Sequence, residues 1–85
     1  MGGAMNIKDK EKKEKEQWLK AFGAHVRKIR LKKGFTGGEL SRELMIDKSN
    51  LIRIEKGRVN TSIYLIRQIC QVLEISLEEF FEGVK

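Results

Sequence analysis

Apolar and polar positions along the chain alternate in a way that picks out five short amphipathic stretches, separated by polar breaks. Trp18, Phe22, Val26 and Ile29 recur at three- and four-residue spacing. That is the period of a helix with one buried face, and it predicts a helix over residues 16–33, stopped at Gly34, with Trp18 at the outer end of the stripe. Leu40 and Leu44 mark the inner edge of a second helix, opened by Thr36 with Glu39 three residues on in capping-box register. After a tight turn at Met45 and Ile46, Asp47 stands where it can cap a third helix with Leu51 and Ile54 inward. Gly57 can end it in the left-handed conformation. Ser62 opens a fourth helix with Ile63, Ile66, Ile69, Cys70 and Leu73 on one face, and Ser76 a last short one bearing Leu77, Phe80 and Phe81. No segment sustains a period of two, so the expected fold is all-α: five helices around one core.

Composition adds scale and charge. Eighty-five residues without proline make one small domain. Residues 8–16, KDKEKKEKE, contain no apolar side chain, and their acids stand four residues before lysines (Asp9 and Lys13, Glu11 and Lys15, Glu16 and Lys20). This spacing supports a helix weakly, so a frayed, solvated extension of the first helix is expected, with a basic arm along DNA as the alternative. The expected organisation is an extension over residues 1–16, whose first four residues look like a cloning remnant, a folded domain over 17–82, and a tail over 83–85. The formal charge of +6 is uneven: residues 17–73 hold twelve Lys and Arg against four acids, whereas residues 74–85 hold one Lys against four Glu. An anionic partner therefore belongs to the middle of the chain. A lone Cys70 in an apolar run reads as a small buried hydrophobe. No apolar run is long enough to span a bilayer and no signal-peptide pattern is present, so the expected location is the cytoplasm.

Between Thr36 and Gly57 lie two short helices joined by a short turn, with Leu40, Leu44, Ile46, Leu51 and Ile54 facing inward together. The same spacing leaves Lys48, Ser49, Ile52 and Arg53 on the outward side of the third helix. With IRLKKG before them, ELSREL and DKSNLIRIEKG within them and ISLEEFF after them, these segments resemble the helix-turn-helix of the phage repressor and Cro superfamily, the XRE-type transcriptional regulators. The resemblance runs from about Phe22 to Phe81. It implies a compact five-helix, lambda-repressor-like DNA-binding domain whose third helix enters the major groove.

On that resemblance, Lys48, Ser49 and Arg53 fall where base edges are read, and Ile52 where a thymine methyl is met. Their chemistry agrees, since Arg and Lys suit guanine and Ser suits any base. Asn50, Lys56, Arg58 and Asn60 match phosphate-holding positions, and Thr36 with the backbone of Gly37 would add a phosphate site at the start of helix two. Arg30 and Glu55 match a partly buried structural salt bridge. The sequence departs from similar proteins at Gly37 and Gly38, where a phosphate-binding Gln usually follows the cap, and at Thr61, where Pro is usual. Either the backbone approaches the phosphate more closely there or DNA binding is weakened.

Enzymatic chemistry finds no support. His25 is the only histidine and has no Cys or acid at ligand spacing, so a packing or surface role is expected and no metal site. GFTGG lacks the strand and Lys of a nucleotide loop. No cofactor, membrane or small-molecule ligand is implied. The expected partners are double-stranded DNA and a second copy of the chain, with Leu65, Phe80, Phe81 and Val84 as dimer candidates, of which one Phe is needed by the core. The resulting expectation is a homodimeric regulator, a repressor, on a twofold operator. The alternative is a protein-interaction module that keeps the fold without reading DNA. Controllers of restriction-modification systems, antitoxins and mobile-element repressors share these motifs equally.

Overall fold

Helix α1 spans Ile7–Lys32, α2 Gly37–Leu44, α3 Lys48–Glu55, α4 Ile63–Leu73 and α5 Leu77–Glu82. The structure, a computed structural model, describes residues 7–84, so the expected remnant at 1–4 and the end of the expected tail lie outside it. Among the described residues the fold is all-α. α1 does not begin near residue 16; it runs as regular helix through the charged stretch, whose side chains are all exposed.

Each later helix is started by its sequence. Thr36 and Glu39 form a reciprocal capping box, with the Glu39 N–H donating to Thr36 Oγ1 at 3.0 Å and the Thr36 N–H to Glu39 Oε1 at 2.8 Å. These bonds hold the Glu39 carboxyl below the usual carboxylate range. Ser62 and Ser76 accept from the Leu65 and Glu79 N–H groups at the starts of α4 and α5. Asp47 departs from expectation: it occupies the N-cap position of α3, but its side chain makes no capping bond. Met45, exposed to solvent, takes the left-handed conformation (φ 59°) that ends α2 and turns the chain into α3.

The core gathers Phe22, Val26 and Ile29 from α1, Leu40 and Leu44 from α2, Leu51 and Ile54 from α3, Ile66, Ile69, Cys70 and Leu73 from α4, and Phe80 from α5. Burial raises the Cys70 thiol pKa, which suits a packing role. Ile63 corrects the expected inner face of α4, being 78% exposed. Ile63 stands only about 20° from Cys70 around the helix, so its exposure comes from its place in the first turn of α4 and not from its face. Phe80 corrects the dimer candidates: at 0% exposure it meets Phe22 edge-on (5.6 Å between ring centres) and presents nothing to a partner. Phe81, half-buried, lies beside Trp18, which is itself stacked on Phe22 at 5.6 Å.

α1 is pressed against the end of α3. A side chain at Gly23 would drive its Cβ into the Ile54 and Glu55 carbonyl oxygens, and one at Gly57 (φ 72°) would stand 2.6 Å from the Lys20 backbone. Two glycines thus permit backbone contact where α1 crosses the last turn of α3. At the far end of the domain, His25 packs on the Phe80 ring (4.9 Å) directly beneath Gly83. Its Nε2 is buried without a hydrogen-bond partner.

Desolvation, and secondarily the Lys28 charge, lower the His25 pKa below its ordinary 6.5, against a raising hydrogen bond to the Phe80 backbone. A depressed histidine pKa means that the unfolded chain binds the proton more readily, so stability should fall as pH drops through about 6.5 and level off below the folded pKa. Urea titrations between pH 8 and 5 should show this loss in the native chain and a flatter profile in His25→Gln. An equally steep profile in the variant would place the pH dependence elsewhere.

Candidate nucleic-acid interface

The outer face of α3 is built by elimination. Leu51 and Ile54 are consumed by the core, which turns Lys48, Ser49, Ile52 and Arg53 to solvent, and Ile52 is left 43% exposed. An exposed aliphatic group beside a serine and two cations can meet a thymine methyl. The Arg53 guanidinium donates from Nη2 to Asn50 Oδ1 at 2.6 Å, one turn away on the same helix. Arg53 and Asn50, expected to serve bases and phosphates respectively, are thus a hydrogen-bonded pair in the unbound protein.

Beside this face lies an open cleft of about 460 Å³, lined by Arg27, Arg30, Gly37, Lys48, Leu51, Ile52, Glu55 and Lys56. Its floor is α3, its walls α1 and the first turn of α2. The capping box uses the Thr36 and Glu39 N–H groups, leaving those of Gly37 and Gly38 as the unbonded amides of a helix start, which carry partial positive charge. Arg27, Lys48 and Lys56 line the same cleft. Arg27 is not legible from the sequence as an interface residue. The one signal is its position a turn before Arg30, which aims it toward α3.

The paired glycines are not demanded by the fold. A Cβ at Gly37 would meet only Lys48 Cε, at an ordinary 3.6 Å, and one at Gly38 would meet only Thr36 Oγ1, at 4.0 Å. The Lys48 stem accordingly lies over the start of α2, across the space where a longer side chain at position 37 would project. Lys56, Arg58 and Asn60, exposed, follow α3 around its glycine end, where the Arg58 N–H bonds back to the Arg53 carbonyl at 2.9 Å. Thr61, where similar proteins have Pro, is half-buried with its Oγ1 unpartnered.

Arg30 and Glu55 stand behind this surface. Arg30 Nε donates to Glu55 Oε2 at 2.8 Å and Nη2 to Oε1 at 3.1 Å, while Nη1 donates to the Phe35 carbonyl at 2.9 Å. Both side chains are 9% exposed. Hydrogen bonding to Glu55 raises the Arg30 pKa further, against the desolvation that lowers it.

Removing one charge of such a pair strands the other. Glu55→Gln should lower unfolding stability by about 3 to 5 kcal/mol in a urea titration. A variant with unchanged stability and altered DNA sequence preference would instead make Glu55 a reader. Gly37→Ala with Gly38→Ala should raise stability by about 0.5 to 1 kcal/mol per site, because both positions have room for a methyl group. A fall in DNA affinity in the same protein would show that phosphate approaches the bare backbone there; a rise would show that the glycines weaken binding.

Comparison with known proteins agrees with this geometry. A family model described as helix-turn-helix matches residues 26–80. The HTH-type transcriptional regulator SlrR of Bacillus subtilis is 33% identical over 63 residues, 73% of this chain and 41% of that protein, so the chain spans about two fifths of its length. The crystal structure of the clp gene regulator ClgR from Corynebacterium glutamicum superposes with a TM-score of 0.76 at 28% identity, covering 79% of this chain and 86% of that one. The restriction-modification controller protein C.AhdI from Aeromonas hydrophila superposes with a TM-score of 0.70 at 30% identity, covering 74% of this chain and 96% of that one. The chain belongs to the XRE-type, Cro/C1-like family of helix-turn-helix DNA-binding transcriptional regulators.

Proposed function

We propose that the protein binds a twofold operator as a homodimer and represses transcription by occupying it. The observation that carries this reading is the outer face of α3, where Ser49, Ile52 and Arg53 stand in solvent beside a cleft lined by Arg27, Lys48 and Lys56. In this reading α3 lies in the major groove, Arg53 exchanges Asn50 for a guanine edge, Ser49 reads a neighbouring base and Ile52 covers a thymine methyl. Lys48 has two targets within reach of its stem, a base edge or the phosphate at the start of α2, where it would substitute for the absent Gln. Asn50, Lys56, Arg58, Asn60, Thr36 and the Gly37 amide hold phosphates and set register.

One small domain reads few base pairs, so two copies give a useful specificity ratio. Phe81, Val84 and Leu65, each half-buried, keep apolar surface for the second copy, with Phe80 supporting them from the core.

Selection of duplexes from a random pool at near-physiological salt, followed by sequencing, should enrich a twofold site with half-sites about one helical turn apart. Arg53→Ala should then lose about 1 to 3 kcal/mol of discrimination at one position of each half-site, with unchanged folding. Absence of enrichment, together with salt-independent behaviour toward duplex DNA, would overturn the DNA-reading function in favour of a protein-interaction module.

A further inference from the structure

The core stripe of α1 does not stop where the core stops. Ile29, Val26, Phe22 and Leu19 step back along the helix by three, four and three residues, and the same rhythm continues through Lys15, Lys12 and Lys8. An ideal helix drifts only about 20° per seven residues against this repeat, so the three lysines stay on the side of α1 that faces the body of the domain. They replace apolar residues because there is no longer a core beneath them, and all three are exposed.

Where the stripe leaves the core, Lys15 borders an open groove of about 710 Å³, and Lys12 and Lys8 lie further along the helix, beyond its lining. Lys15, Glu16, Leu19 and Lys20 form one wall, and Lys56, Gly57, Arg58, Val59 and Asn60 the other. Four cations and one acid line it, and the second wall is the segment assigned above to phosphates. The overhang is held in place, since the Gly57 backbone contacts Lys20 and Gly23 rests on the end of α3. From Lys15 to Lys8 the helix advances about 10 Å, a length over which one DNA strand presents roughly three phosphates along the axis.

We infer that the amino-terminal half of α1 is a phosphate clamp, seated along the DNA backbone that flanks each half-site, with Lys8, Lys12 and Lys15 continuing the contact begun by Lys56 and Arg58. The inference rests on the DNA-binding reading above and extends it to a surface outside the helix-turn-helix. Acids flank the stripe: Glu11 stands one turn from Lys8 and Lys15 and Glu16 one turn from Lys12, while Glu14 lies on the opposite side, so the lysines are locally paired along the helix and the clamp exchanges those pairings for phosphates.

The test compares the native chain with Lys8→Ala/Lys12→Ala/Lys15→Ala by fluorescence anisotropy, on the selected operator with and without ten extra base pairs at each end. Alanine preserves helix propensity, and circular dichroism checks that α1 is intact. On the long duplex the slope of log K against log salt should flatten by about 0.9 for each phosphate that the variant leaves unneutralised, up to about 2.7, while the order of preference among operator sequences is unchanged. On the short duplex the two proteins should bind alike. An unchanged slope on the long duplex, with tight operator binding by both proteins, would overturn the clamp and leave the DNA-reading function standing. Failure of the native chain to bind either duplex would overturn both.

Discussion

The Arg30 guanidinium holds three parts of the domain in one plane. Two of its bonds run to the Glu55 carboxylate on α3, and a third to the Phe35 carbonyl in the turn that leads into α2. A planar fork with fixed donor directions can satisfy this arrangement only at one mutual orientation of α1, the α1–α2 turn and α3. Desolvating two charges is costly, and an apolar replacement would hold the same elements together about as strongly. What the pair adds is register: α3 is fixed about its own axis, so Ser49, Ile52 and Arg53 leave the surface in a defined direction. A reading helix that could roll by even one residue would present a different set of side chains to the groove.

Backbone contact reinforces that constraint. Gly23 and Gly57 let α1 touch the end of α3 without intervening side chains, and close approach of two helices leaves little room for sliding. The crossing point also decides what the rest of α1 can do. Because α1 passes the carboxy-terminal end of α3, its Lys15–Lys20 stretch stands across an open groove from the Lys56–Asn60 segment, while Trp18 and Phe22 join the aromatic cluster with Phe80 and Phe81. One helix thereby carries two surfaces: apolar contact for the core and α5 on one stretch, exposed charge on another.

Much of this is legible in the sequence because helical period and capping chemistry are local. The inward set Leu40, Leu44, Leu51 and Ile54, the Thr36–Glu39 box and the left-handed Gly57 depend on neighbours within a turn or two. The departures share a different origin. Spacing alone assigns Ile63 inward, though burial depends on where the opposing elements end. Phe80 and Phe81 are adjacent and chemically identical, so only the angle at which α5 docks decides which ring is enclosed. Asp47 sits at the right position with the right chemistry and still does not cap, because its side-chain torsion is not set by position. Arg27 and Gly23 acquire meaning only from the α1–α3 crossing, which joins segments some thirty residues apart in sequence.

The division of labour across the surface follows from the same geometry. On the proposed reading the base-reading groups of α3 are few, and the longest of them, Arg53, already has a partner in Asn50 that it would release to reach a base. Exchanging one hydrogen bond for another yields little net free energy, so on that reading base contacts give discrimination more than affinity. On that reading affinity comes from the exposed lysines and arginines around α3 and along α1, whose counterions would be released to solvent as phosphates take their place. A small domain can therefore remain selective with a short reading helix, provided its charged periphery is broad; on the proposed reading, extending one helix beyond the core supplies part of that periphery.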